Sequence, residues 1–460
     1  MGCTEDEIRD AVKKTNDCIG DSAWSGRTIT VAAGSPACTI AVLNDSAMAA
    51  RYANSSCPGD PESHALCLRN EHVRLAGGGA IFLYSGQAFC GQCAEGCPAP
   101  QPALFTLKGN DNTIEDLTYR YFPEGIHIRA GNGHTVARVT ADRICEDAIT
   151  VDEGAGEGHV VRESVLIGNT APDAGRTCVL ATGQAGACGT DKAIQLNGGR
   201  ASIERNTIDR ISEPVHVSGG EHAIVDNRTR GSAEDQNLCQ SYTAATTAGS
   251  RVSVTMRGNL IQHCKLGIRV DGGAVVLADG NSILDPWVSA FDVRGSGRLM
   301  AQNNRLRTRS AGFTNRSTVQ RGLVVARNAS RARIDLGGGD YAGVSVVDDL
   351  PCAAGGACSR GGNRFCSRGS GSQSDIWNIT DCPCLNRICG ETLGVCAVNT
   401  CALVDDAGGC VGTAGAGASI GARGNCFRFS GGRLVDVKDA GDENTAISGA
   451  TECAASVCDF

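Results

Sequence analysis

The sequence predicts an all-β chain wound as a right-handed parallel β-helix, a solenoid of about 22 residues per turn. Three observations carry that expectation. Glycine is frequent (61 of 460 residues) and aromatics make up only 4%, which suits a core of small aliphatic side chains turned by glycines. Six segments repeat one pattern: Gly125-Ile126-His127-Ile128, Ala148-Ile149-Thr150-Val151, Ala193-Ile194-Gln195-Leu196, Pro214-Val215-His216-Val217, Gly267-Ile268-Arg269-Val270 and Ala290-Phe291-Asp292-Val293. Each alternates apolar and polar residues, as a strand with one buried face requires. A second column, Asn206, Asn227, Asn259, Asn281, Asn304 and Asn328, keeps a similar period. Stacked asparagines at one corner of a solenoid bond their amides up and down the ladder.

Taken in order, the chain begins with Thr4-Glu5-Asp6-Glu7, a capping box for a short helix whose Ile8, Ala11 and Val12 form one apolar stripe. That helix is expected to plug the mouth of the solenoid, with residues 1–27 as the cap and a first strand at 28–31. The helix proper is assigned to residues 28–350. Counting from Ile126, the apolar anchors fall 23, 45, 21, 53 and 23 residues apart, and the two long intervals read as one turn each carrying an insertion. Residues 351–460 form a cysteine-rich end, with 12 cysteines from Cys352 onward, and read as a disulfide-knitted cap or terminal turns.

Composition narrows the partners. A net charge of −8 argues against nucleic acid, whose phosphates need a basic surface. No apolar run approaches the roughly 18 residues of a membrane span. The 25 cysteines, spread along the chain, indicate disulfides in an oxidising space, either extracellular (secreted or on the cell surface) or periplasmic. Cys3, directly after a glycine, is a candidate lipid anchor of an outer-membrane lipoprotein type. The spacing Cys90, Cys93, Cys97 suits zinc, but no second paired motif accompanies it, and a disulfide loop is the better reading.

Chemistry is expected on the outer face of the strands. The residue before each apolar strand forms one vertical row, Glu124, Asp147, Lys192 and Glu213, with Glu146 one place ahead of Asp147. The next outward row holds His127, Thr150, Gln195, His216, Arg269 and Asp292. Adjacent strands lie about 4.8 Å apart, so neighbours in a row share ligands. Three carboxylates on two adjacent turns repel unless a cation sits among them, and Ca²⁺ is the hard cation that takes several oxygen ligands.

The run Glu124-Gly125-Ile126-His127, then Cys145-Glu146-Asp147-Ala148, then Asp191-Lys192-Ala193-Ile194-Gln195 through Gly199, resembles the core signature of the family 3 pectate lyases. The resemblance covers about residues 105–220. It implies a calcium-dependent β-helix cleaving a pectate-like acidic polysaccharide by β-elimination, with Glu124, Glu146 and Asp147 as metal ligands and Lys192 as base. The chain departs from that pattern where the family carries a lysine and an arginine; Glu213 and His216 stand there instead. His216 is then a second candidate base, and Arg269 a partial substitute for the arginine.

Three functions follow as expectations: a Ca²⁺-assisted lyase acting on a uronate-containing polysaccharide, a non-catalytic surface β-helix that binds glycans or serves a structural role, and a glycoside hydrolase on the same scaffold. For the last, Asp348-Asp349 and Asp405-Asp406 are carboxylate pairs late in the chain. The Gly-His-Gly motif of the polygalacturonase β-helices is absent, since Thr135 follows Gly133-His134.

Overall fold

In the computed structural model the described residues are 4–17, 26–31, 38–42, 66–84, 103–122, 124–144, 146–168, 191–233, 238–247, 250–287, 289–294 and 297–307, with the backbone of further short strands, most of them between 323 and 452. The chain divides into two compact units, Met1–Thr229 and Arg230–Phe460. The expectations for Cys3, the Cys90–Cys97 loop, Asn328 and the disulfides of the cysteine-rich end lie outside the described residues. Among the described residues, no helix is long and apolar enough to cross a membrane.

The first unit opens with the helix Glu5–Asp17. Thr4 and Glu7 form the capping box: the Thr4 hydroxyl donates to Glu7 Oε2 at 2.7 Å and the Glu7 N–H donates to Thr4 Oγ1 at 3.4 Å. Ile8, Ala11 and Val12 are buried. The helix end is fastened to the first turns by Asn16, which donates to Cys67 O at 2.7 Å and accepts from the Arg69 N–H at 2.9 Å. Cys38 and Cys67 are both disulfide-bonded.

Parallel strands then stack in register. On one sheet Ala103–Leu107, Glu124–Ile128, Asp147–Val151, Lys192–Leu196 and Glu213–Val217 pair in sequence, so that Phe105, Ile126, Ile149, Ile194 and Val215 form one buried column. Asp147–Val151 pairs directly with Lys192–Leu196, which makes the 45-residue interval a single turn with an insertion, as expected. Gly125 is required by close approach: a Cβ there would lie 2.1 Å from Ala148 O and 2.6 Å from the Tyr119 ring.

The second unit is also a stack of parallel strands. It corrects the reading of the 53-residue interval. Tyr242–Ala245 is a strand of its own, placing Tyr242 opposite Ile268 and Thr243 opposite Arg269. The interval therefore contains an additional turn. Its inward residues are Tyr242 and Ala244 where other turns carry Ile or Val, so the repeat pattern does not reveal it. Cys239 and Cys264 form a disulfide beside that turn, with Cα atoms 4.5 Å apart.

Two polar ladders run through the corners. In the second unit Asn259 donates from Nδ2 to Asn281 Oδ1 at 2.9 Å, and Asn281 to Asn304 Oδ1 at 3.0 Å; in the first, Asn206 donates to Asn227 Oδ1 at 3.0 Å. All five are buried, and each accepting amide also takes the backbone N–H of the asparagine before it where that residue belongs to the same unit. The other ladder has no counterpart in the sequence reading. Asn112 accepts from the Val73 N–H, His134 Nδ1 from the Asn112 N–H, His159 Nδ1 from the His134 N–H, and His222 Nδ1 from the Ala201 N–H. The His134 and His159 rings stack at 5.3 Å and 7°. His134 Nε2 and His222 Nε2 donate to the carbonyls of Ala130 and Gly219 at 2.7 Å, so both rings are neutral. Burial holds all three histidines below their ordinary range, His159 down to about 4.

Two outcomes follow from these ladders. Because the folded pKa values are depressed, the histidine ladder contributes its full stability above pH 6.5 and loses it as the pH falls toward about 4. Denaturant midpoints measured at both ends of that window should drop in the acid, and the double variant His134→Asn, His159→Asn should flatten the drop, since Asn112 performs the same bond in the same column. Asn281→Ala leaves the Asn259 amide and the Met256 carbonyl without their partner and should cost about 2–3 kcal/mol in equilibrium unfolding.

Candidate functional site

The strands of the first unit create two outer columns by a local irregularity of the alternation. In Lys192–Leu196 and Glu213–Val217 the first and fourth residues are partly exposed and the other three buried. The side chains at i and i+3 therefore share the outer face. That spacing brings Glu124 to His127 and Glu213 to His216, each pair at 2.7 Å. The register stacks Asp147, Lys192 and Glu213 in one column, and Thr106, His127, Thr150, Gln195 and His216 in the other.

Electrostatically the first column is crowded with acid. The Glu146 carboxyl is hydrogen-bonded to that of Glu124; burial, and then the charges of Glu124 and Asp147, push it up to about 7. Burial likewise raises Asp147 to about 6, against the opposing pull of Lys192. The Lys192 ammonium lies 3.4 Å from Asp147 Oδ1 and donates to Asp191 Oδ2 at 2.8 Å. Burial favours its neutral form, but the charges of Asp147, Asp191 and Glu213 override this and hold it above its ordinary value. For His127, burial is likewise outweighed by the bond and charge of Glu124, and the ring is held above its ordinary value.

Glu124, Glu146, Asp147, Lys192 and His216 are thus gathered on one face of one unit. Arg269 belongs to the second unit, where its guanidinium bonds Asp271 Oδ2 at 2.8 Å and its strand places it opposite Thr243 and Asp292. The first unit assembles its cluster from its own residues. Lys192, first choice as base, is a cation paired with Asp147 and Asp191. His216 has the geometry of an oriented base: its Nδ1–H donates to Glu213 Oε2, which leaves Nε2 on a ring 22% exposed. The sequence contained this signal, since Glu124-Gly-Ile-His127 and Glu213-Pro-Val-His216 repeat Glu-x-x-His at the same register.

The donor set suits Ca²⁺ in kind: carboxylate oxygens whose negative charge is uncompensated enough to retain protons near neutrality. Convergence is narrower than expected. Among the described residues no three acidic, histidine or cysteine side chains close on a single metal position. Glu124 and Glu146 meet, whereas Asp147 turns to Lys192. The fit is that of a two-carboxylate anchor.

Comparison with known proteins bears on the scaffold. A family model described as a right-handed β-helix region matches residues 192–335. No curated protein matches the chain. Among solved structures, two mutants of the tailspike protein of the E. coli bacteriophage HK620, each in complex with a pentasaccharide, superpose with TM-scores of 0.54 and 0.55 at 10% and 11% identity. Each alignment covers 91% of this chain and 68% of the tailspike. Likeness at such identities is a likeness of fold. The chain is a right-handed parallel β-helix protein, and the comparisons select no enzyme family within that class.

Proposed function

We propose that the chain cleaves a uronate-containing polysaccharide by β-elimination outside the cytoplasm, using the acidic row of its first unit. The observation that carries this reading is the Glu213–His216 pair, an imidazole oriented by a carboxylate, one turn from the Lys192 ammonium. The tailspike mutants bind a pentasaccharide, which agrees with a saccharide on this scaffold. Lys192 binds the uronate carboxylate as a point charge. His216 Nε2 takes the proton from C5, the electron pair forms the C4–C5 double bond, and the C4–O bond breaks, its oxygen keeping the bond's electrons and taking a proton from water. Glu213 stabilises the imidazolium that results. Glu124 and Glu146, whose carboxyls are hydrogen-bonded to each other, would hold a Ca²⁺, and the ion would supply neutralisation of a uronate carboxylate at their end of the row.

A second reading has its own observation. Glu146 keeps a proton near neutrality, as the general acid of a glycoside hydrolase does. The two readings differ in product, because only elimination gives an unsaturated uronate with ultraviolet absorbance.

With polygalacturonate and Ca²⁺ that absorbance should rise, and chelator should stop it. Reducing ends released without absorbance favour the hydrolase, and well-folded protein that releases neither is a non-catalytic binder. His216→Ala should lower kcat by about 10²–10⁴-fold, while Lys192→Ala should act mainly on KM. A loss of kcat at unchanged KM in Lys192→Ala would return the base to Lys192. Glu146→Gln should remove Ca²⁺ dependence yet raise the melting temperature above pH 7 in chelator. The wild-type fold favours a protonated Glu146, so stability falls as the pH rises from 4.5 toward about 7.

A further inference from the structure

The strands Lys192–Leu196 and Glu213–Val217 each carry a third outward residue just past their ends: Asn197 follows Leu196, and Ser218 follows Val217. Each turn therefore shows three side chains across the face, Lys192, Gln195 and Asn197 on one and Glu213, His216 and Ser218 on the next. All six are partly exposed. Their chemistry changes from one edge of the face to the other. Charge stands on the first edge, whereas the far edge is neutral and hydrogen-bonded. Gln195 Nε2 donates to Asn197 Oδ1 at 3.0 Å, and Ser218 Oγ donates to the same oxygen at 2.8 Å. Two donors occupy the Asn197 carbonyl and fix which way its amide points, leaving both N–H groups of Nδ2 for a further partner. Among the described residues no hydrogen bond engages Asn197 Nδ2 or Gln195 Oε1. One turn earlier the same edge carries Asp152, paired with Arg129 at 3.2 Å. The neutral stretch thus coincides with the turns of Lys192 and His216.

Resting on the lyase reading above, we propose that Asn197, held by Gln195 and Ser218, is a subsite for the ring hydroxyls of the uronate, and that the substrate is a 1,4-linked uronan whose O2 and O3 are unsubstituted. Elimination across C4 and C5 needs the glycosidic oxygen on C4, so the polymer runs through C1 and C4 of each residue. Those two atoms divide the pyranose ring into two edges. C5 with its carboxylate lies on one edge, and C2 and C3 with their hydroxyls lie on the other. A ring laid over Gln195 and His216, with its C1–C4 axis along the stack of turns and its carboxylate at Lys192, therefore turns O2 and O3 toward Asn197. The Nδ2 donors and the Gln195 Oε1 acceptor together match a hydroxyl, which both accepts and donates. An O-acetyl group removes the donor and sets a methyl group against the two amides. A site built to bond a hydroxyl rejects a ligand that lacks it, because its own polar groups are then left unpaired.

The test compares polygalacturonate with the same polymer acetylated at O2 and O3, following ultraviolet absorbance in both. The wild-type protein should cleave the unacetylated polymer about 10-fold more efficiently or better. Asn197→Ala should lose about 3–10-fold in kcat/KM on the unacetylated polymer, through KM, and much less on the acetylated one, so that the preference narrows. Equal losses on both polymers, no change on either, or a wild-type protein indifferent to acetylation overturns the hydroxyl subsite and leaves the lyase reading standing. Ser218→Ala removes one of the two bonds that hold Asn197 and should narrow the preference by less. Should Asn197→Ala not fold, Ser218→Ala decides alone, and an unchanged preference there overturns the subsite. If neither polymer gives absorbance the lyase reading fails, and calorimetric titration with both polymers decides the rest. Binding that acetylation weakens in the wild type and not in Asn197→Ala upholds the subsite; equal binding of both polymers, or none, overturns it.

Discussion

In-register parallel pairing is the constraint on which the rest of this structure depends. Because Ile126, Ile149, Ile194 and Val215 stack in one buried column, every other position of those turns is stacked as well. A one-residue slip would exchange the faces and bring Lys192 and Glu213 into the core. Register is held at the corners by amides and imidazoles that accept the backbone N–H of the turn before. These bonds are specific to position, where apolar stacking alone would tolerate sliding.

That constraint explains what was legible in the sequence. The solenoid was readable because its core column repeats the same residue class, and the asparagine corner because one residue type fills it. The Tyr242–Ala245 turn was not, because Tyr242 and Ala244 fill the column with one large and one small side chain. The histidine ladder was hidden by mixed composition: Asn112, His134, His159 and His222 do one job with two residue types. Membership of the acidic row was readable from order and spacing. Its burial was not, since alternation within a strand reveals nothing about what lies over the outer face. Thr106 and Thr150 look like solvated positions and are buried ones.

The division of labour within the row is electrostatic. Lys192 is fixed as a cation by carboxylates on both sides, whereas Glu146 and Asp147, with burial and the charges of neighbouring carboxylates to overcome, are drawn toward their protonated forms. A row whose carboxyls are drawn toward their protonated forms carries an electrostatic conflict of the kind concentrated at functional positions.

The same logic bears on the departure at Glu213 and His216. Against the pectate lyase pattern that the sequence resembles, Glu213 and His216 stand at two positions that would carry cations. The strand geometry joins the two changes. The first and fourth residues of the strand share the outer face, so a carboxylate at 213 and an imidazole at 216 fall into contact at 2.7 Å. Either change alone gives less: Glu213 beside an arginine would neutralise it, and His216 beside a lysine would lack the carboxylate that fixes its tautomer. Together they form one pair, an imidazole oriented by a carboxylate. The pair Glu124–His127, three turns away in the same column and at the same spacing, follows the same geometric rule. It differs in consequence because His127 is buried and bonded through Nε2, whereas His216 is bonded through Nδ1 and is partly exposed on the outer face.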